Sequence, residues 1–164
     1  MIRIVRADPL ELDAGALVVA VGEDLDGITP AARRATLAAG PELLARLARL
    51  RGLPAGAAIL VPGGGSGFDF LIPVVLLARD EPSGPALLER AATNVLRRAA
   101  EWDVESLVVP PLGLGAGQMD GEEAARVLMR VLAGAALPLR DIVVPASSDW
   151  EVSVLEAALA EVRA

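Results

Sequence analysis

The sequence predicts an α/β protein built on a largely parallel sheet with helices on both faces. Two observations carry this. Short β-branched runs alternate with stretches of helical period and length along the chain. Several of those runs are apolar without interruption, as a strand covered on both faces requires. The hydrophobic share, 54%, is high enough to cover two faces.

The elements follow in order. Residues 2–6 (IRIVR) alternate and are β-branched, which predicts a strand. Residues 16–21 (ALVVAV) predict a strand buried on both faces. Thr29 suits a helix cap and Pro30 the first helical position, and the helical pattern runs to Leu50. Gly40-Pro41 divides that stretch into two helices, the second being PELLARLARL. Residues 57–62 (AAILVP) and 70–78 (FLIPVVLLA) flank a GGGSG turn and predict a hairpin. Pro73 predicts an edge or bulge position within its second arm.

Residues 85–101 predict an amphipathic helix, with Leu88, Ala91, Ala92, Val95 and Ala99 on one face and Arg90, Arg97 and Glu101 away from it. Residues 106–110 (SLVVP) predict another buried strand. Asp120 with Glu123 forms an acidic capping box that opens a helix from Gly121 to about Ala136. Residues 141–145 (DIVVP) predict the last strand, and Asp149 caps a final helix ending near Val162. The 164 residues show no repeat and no linker, so one domain over 1–164 is expected.

Composition excludes several chemistries. Without Cys there is no disulfide, thiolate nucleophile or Cys-ligated metal. Without His the commonest general base and the usual zinc sites are gone. All 15 basic residues are Arg, which rules out a Schiff-base or P-loop Lys. No cofactor and no resident metal is expected. A net charge of -7 argues against nucleic acid as a partner. No apolar run reaches membrane-spanning length, and the N-terminal stretch has no signal-like core, so a cytoplasmic location is expected. The Arg-for-Lys, amide-poor composition fits a high-GC genome and a heat-adapted source.

In a sheet of this kind ligands bind at the carboxyl ends of the strands. That directs attention to three loops. The first, PPLGLGAGQ (110–118), joins a buried strand to a capped helix. Gly113, Leu114, Gly115, Ala116 and Gly117 place glycines where unpaired N–H groups and the positive end of a helix dipole converge. This suits an anion, phosphate above all; the other reading is a glycine turn with no ligand. The second, VGEDLDG (21–27), sets Glu23, Asp24 and Asp26 after a buried strand. They could hold magnesium or calcium or act as a carboxylate base, or they form a solvated acidic turn. The third, PASSDW (145–150), offers hydroxyls at Ser147 and Ser148 with no activating His or Lys. Its Trp150 could stack on a base or sugar, or serve as core or surface cover. Trp102 is expected to pack.

The order of elements and these loops resemble the macro domain, the ADP-ribose-binding module. IRIVRADPLEL resembles the family's opening strand and acidic turn, with Asp8 at the acidic, adenine-side position. DAGALVVAVGEDL resembles its second strand and following loop, AAGPELL its helix segment AAG-x-E-L, and LPAGAAILVPGG its stretch G-x-A-x-x-T-x-G. VVPPLGLGAGQMDGEEAARVL resembles the phosphate loop and the helix after it. The resemblance spans nearly the whole chain. It implies a three-layer α/β/α sandwich around a mixed, mostly parallel six-stranded sheet, and a nucleotide or phosphorylated small molecule as ligand. It further implies ligand contacts at Asp8, Gly22, Gly113 to Gly117 and Trp150.

The departures are equally specific. The family's Asn-Ala-Ala-Asn stretch reads Val19-Ala20-Val21-Gly22 here, so both amides are missing. The backbone donor beside the adenine-side acid falls at Pro9, which has no N–H. Each lost hydrogen bond costs about 0.5–1.5 kcal/mol, and each 1.4 kcal/mol is about tenfold in affinity. Weak or altered ligand binding is therefore expected. Two alternatives stand beside binding. One is an ADP-ribosyl hydrolase or ADP-ribose phosphate phosphatase using Glu23, Asp24 or Asp26. The other is a non-binding module that assembles as a homo-oligomer through the exposed-looking strand FLIPVVLLA.

Overall fold

The computed structural model describes residues 1–114 and 119–164. Six strands form one sheet: β1 (Ile2–Arg6), β2 (Ala16–Gly22), β3 (Val61–Pro62), β4 (Phe70–Leu77), β5 (Ser106–Val108) and β6 (Asp141–Ala146). The helices are α1 (Pro30–Ala39), α2 (Pro41–Arg49), α3 (Pro85–Glu101), α4 (Gly121–Ala133) and α5 (Asp149–Arg163). Strand order is β1-β6-β5-β2-β4-β3. Every pairing is parallel except that of β3 with β4. This is the mixed, mostly parallel six-stranded sheet of a three-layer sandwich.

The side-chain alternation of β2 shows the layers. Ala16, Val18 and Ala20 point into the larger core with Leu88 and Val95 of α3, Leu128 of α4 and Leu155 of α5. Leu17, Val19 and Val21 point the other way, onto Ala32 and Ala35 of α1 and Leu43 and Leu47 of α2. One uninterrupted apolar run thus supplies both cores, because successive strand residues face opposite sides.

Thr29 caps α1 as its residue type predicts, accepting from the Ala32 N–H at 3.1 Å, and Pro30 and Pro41 open α1 and α2. Several boundaries differ from expectation. β5 stops at Val108 because Pro110 and Pro111 have no N–H to continue a ladder. Only Val61–Pro62 of the expected strand 57–62 is regular, with a lone bridge from Ala58 to Val74. α4 ends at Ala133, where Gly134 and Ala135 tighten the last turn by bonding to Val131 and Leu132. Asp120 caps that helix through the Glu122 N–H at 3.2 Å rather than through a reciprocal box with Glu123. Ser148, not Asp149, caps α5, accepting from the Glu151 N–H at 3.2 Å.

The GGGSG turn has a packing reason. A Cβ on Gly64 would lie 2.1 Å from the Ala39 carbonyl oxygen, so the turn docks tightly on the end of α1. Strand β4 is not an exposed surface. It lies between β2 and β3, and Leu71 to Leu76 are buried, which removes the apolar face expected to drive self-association. Pro73 fits there because its carbonyl accepts from Ile59 on the irregular outer side. The N–H it lacks would face that side and not the β2 ladder. Trp102 is half-exposed and lies against Phe70, with ring centroids 6.0 Å apart. Among the described residues no helix is long and apolar enough to cross a membrane.

Candidate functional site

The carboxyl ends of β1, β2, β5 and β6 share one edge because these strands are parallel. From β2 the chain leaves to α1 on one face, and from β5 it leaves to α4 on the other. The gap between β2 and β5 is therefore the switch point at which such sheets open a crevice. A cleft of about 620 Å³ lies at this edge. Its walls come from Arg6 to Pro9 at the end of β1, Thr29 to Ala31 and Arg34 at the start of α1, Pro110 and Pro111 after β5, and Pro145 to Ser147 at the end of β6 with Glu151. Proline rings give it rigid apolar sides.

Asp8 lies in this cleft. Its carboxylate accepts from the Leu10 N–H at 3.0 Å and from both terminal nitrogens of Arg34, at 2.8 and 3.0 Å. Those hydrogen bonds, Arg34's first and Leu10's second, hold the Asp8 carboxyl below its ordinary range. Asp8 in turn raises the Arg34 guanidinium above its ordinary range. Sequence reasoning singled out Asp8 and missed Arg34. The signal was present, since Thr29 and Pro30 fix the start of α1, and a residue four after Pro30 shares its face. What placed that face beside the loop after β1 was tertiary packing.

The carboxyl end of β2 offers little to a ligand. Val19 and Ala20 are buried apolar positions beneath the cleft, lining a small cavity of about 30 Å³ with Pro9, Thr29 and Pro111. Gly22 does not line the cleft. Its N–H donates to the Asp26 carbonyl at 2.9 Å, the Leu25 N–H to Gly22 at 2.8 Å, and the Ile28 N–H to Ala20 at 3.0 Å. The loop folds back on β2 and uses these donors itself. Leu25, buried with φ 67°, is the left-handed residue that closes the turn.

Glu23 and Asp24 line a separate surface hollow with Arg51, Arg79 and Asp80. Arg79 pairs with Glu23 at 3.2 Å and with Asp24 at 3.6 Å. Asp26 joins neither that hollow nor the cleft. Among the described residues no cluster of three or more acidic side chains converges to hold a metal.

In the glycine loop, Gly113 adopts φ +87°, and a Cβ there would sit 3.2 Å from Ala124, Leu88 and Met119. The turn and the close packing both require glycine at that position. Leu114 donates its N–H to the Pro111 carbonyl at 3.2 Å. Gly115, Ala116 and Gly117 lie outside the described residues. The helix start beyond them already carries Asp120, Glu122 and Glu123, which offset the positive end of the α4 dipole. Trp150 does not line the cleft. Half-exposed on the first turn of α5, it covers Gly121, whose added Cβ would come 2.5 Å from the indole. Ser147 does line the cleft, and both its N–H and its hydroxyl donate to Glu151, at 2.7 and 2.9 Å.

Layer order, strand order and a cleft at the switch point define a macro domain. The Macro domain family model matches residues 18–128, and the chain belongs to that family. A macro domain-containing protein of Ralstonia nicotianae is 30% identical, over 99% of this chain and 96% of its own length. The Oceanobacillus iheyensis macrodomain with ADP shares the fold at TM-score 0.85 and 21% identity, covering 98% of this chain and 90% of that one. The Trypanosoma brucei macrodomain in complex with ADP-ribose does so at TM-score 0.82 and 18% identity, covering 96% and 68%.

Proposed function

We propose that this macro domain binds a nucleotide or related phosphorylated small molecule of the ADP-ribose type, more weakly than an intact site would. The base end sits in the cleft at Asp8, and the phosphates lie toward the loop 113–117. The observation that carries this is the proline-walled cleft of about 620 Å³ at the strand switch point, with Asp8 in it. Relatives of the same fold were crystallised with ADP and with ADP-ribose, which supports the ligand class. Weak affinity follows from two features. No amide side chain projects from Val19 to Gly22, and the N–H groups of Gly22, Leu25 and Ile28 are spent within their own loop. Two or three missing hydrogen bonds at about 0.5–1.5 kcal/mol each correspond to roughly five- to two-thousandfold.

Calorimetric titration of ADP-ribose, ADP, AMP and inorganic phosphate tests the reading, with Gly115→Asp as the loop variant. Binding of ADP-ribose in the high micromolar to millimolar range, abolished in a folded Gly115→Asp protein, is expected. No binding of any of these at millimolar concentration sinks the proposal. Undiminished binding by Gly115→Asp moves the phosphate elsewhere.

A further inference from the structure

Strand β3 ends the sheet, with no strand beyond it among the described residues. The segment that carries it bonds to β4 at every second residue. The Ile59 N–H donates to Pro73 at 3.0 Å, Val61 stands opposite Leu71, and the Gly63 N–H donates to Asp69 at 2.9 Å. The residues between, Ala58 and Leu60, therefore turn their N–H and C=O groups outward, away from β4. Neither N–H has a partner among the described residues. Pro62 adds an outward C=O and has no N–H. The result is a short open edge of donors and acceptors with which a further strand can pair.

A groove of about 540 Å³ lies beside this edge, between α2 and the end of β3. Arg46 and Arg49, one turn apart on α2, line it with Pro62 and Gly64. Both arginines are exposed, and among the described residues neither forms an ion pair. Glu42, on the first turn of α2, is the one acid on the groove. From Leu43 to Phe68 the only charged residues are Arg46, Arg49 and Arg51, in a chain whose net charge is -7. The groove is thus a local positive surface on an acidic protein. From Leu43 to Gly67 there is no aromatic side chain on which a nucleic-acid base could stack.

We infer that this edge and groove form a docking site for an acidic, extended peptide segment of a partner protein. The segment adds a strand beside residues 58–62, antiparallel to them, which is the more stable pairing. The faces of the sheet then fix which of its residues do what. Ala58 and Leu60 turn their side chains to the core under α3, and Ile59 and Val61 turn theirs to the core under α1 and α2. Residues opposite each other in an antiparallel pair share a face. Peptide residues opposite Ala58 and Leu60 therefore bond to the open edge and face the α3 side. The residues between them face α2, where carboxylates meet Arg46 and Arg49, and their own N–H groups point away from the protein. The site shares no residue with the cleft and does not depend on the nucleotide reading.

Fluorescence anisotropy with the whole chain and a labelled peptide of alternating Glu and Val tests this. Affinity should fall about tenfold or more when Lys replaces Glu in the peptide, and likewise in the double variant Arg46→Glu with Arg49→Glu, whose folding a thermal melt confirms. N-methylation of the Val residues should abolish binding, because their N–H groups face the edge. N-methylation of the Glu residues should leave it within about twofold. Equal or reversed effects of the two methylations overturn the strand placement. Undiminished binding by the double variant overturns the role of the groove. A peptide that fails to bind the wild type at millimolar concentration overturns the proposal. So does a single-stranded oligonucleotide that binds more tightly than the peptide, or a dimer of this chain that excludes it.

Discussion

Replacing Gly113 by Ala tests why the loop after β5 contains glycine at that position. The residue adopts φ +87°, where an L side chain costs about 1–2 kcal/mol. The new Cβ would also meet Ala124, Leu88 and Met119, each at 3.2 Å. Ala124 and Leu88 are fully packed, so they have little room to give, and overpacking of this kind costs about 1–3 kcal/mol. Together the two effects destabilise by about 2–5 kcal/mol, or roughly 4–20 °C in Tm for a chain of this length. Urea denaturation followed by circular dichroism measures it directly, with an unchanged m-value showing that the loss lies in the folded state. A loss below about 1 kcal/mol would mean that the backbone relaxes freely, and the packing argument for Gly113 would fail.

Two further outcomes follow from the site. Thr29→Ala removes the cap of α1 at the cleft wall and should cost about 1 kcal/mol, largely recovered by Thr29→Ser. Equal stability of all three proteins by urea denaturation would show that the cap contributes nothing. Asp8→Asn tests the ion pair through pH. Because Arg34 and Leu10 lower the Asp8 pKa in the folded state, the stability it contributes is present above the unfolded value of about 4 and is lost as pH falls through the lower folded value. The wild type should therefore exceed Asp8→Asn at neutral pH and converge with it in acid. A stability difference that does not change with pH would contradict that assignment.

Much of the fold was legible in the residues. The run ALVVAV reads as a strand covered on both faces, and the structure sets it between β5 and β4 inside the sheet. Thr29-Pro30, Gly40-Pro41 and the spacing of Leu88, Ala91, Ala92, Val95 and Ala99 placed three helices, because caps, breakers and period 3.6 act within a few residues of themselves. FLIPVVLLA misled for the opposite reason. Its apolar run is the same whether a strand lies exposed or between two neighbours, and only strand order distinguishes the cases. The candidate site divides likewise. Asp8 was singled out by its motif and lies in the cleft, while Arg34 looked like any basic residue on a helix until α1 packed beside the loop after β1.

The glycine loop shows the boundary most clearly. The chain alone settles that Gly113 lies in a loop between a strand and a capped helix, because backbone freedom and capping are local properties. It also settles that no Asn stands at the end of β2 and that Pro9 carries no N–H, since these are matters of residue identity. Tertiary structure decided the rest. It pressed Gly113 against Leu88 and Ala124 and turned the N–H groups of Gly22, Leu25 and Ile28 back onto their own loop and strand. It kept Glu23 and Asp24 out of the cleft and Trp150 over Gly121. It also joined Arg34 to Asp8 across 26 residues of chain. Contacts between distant segments depend on how whole layers stack, and no local pattern of residues encodes that distance.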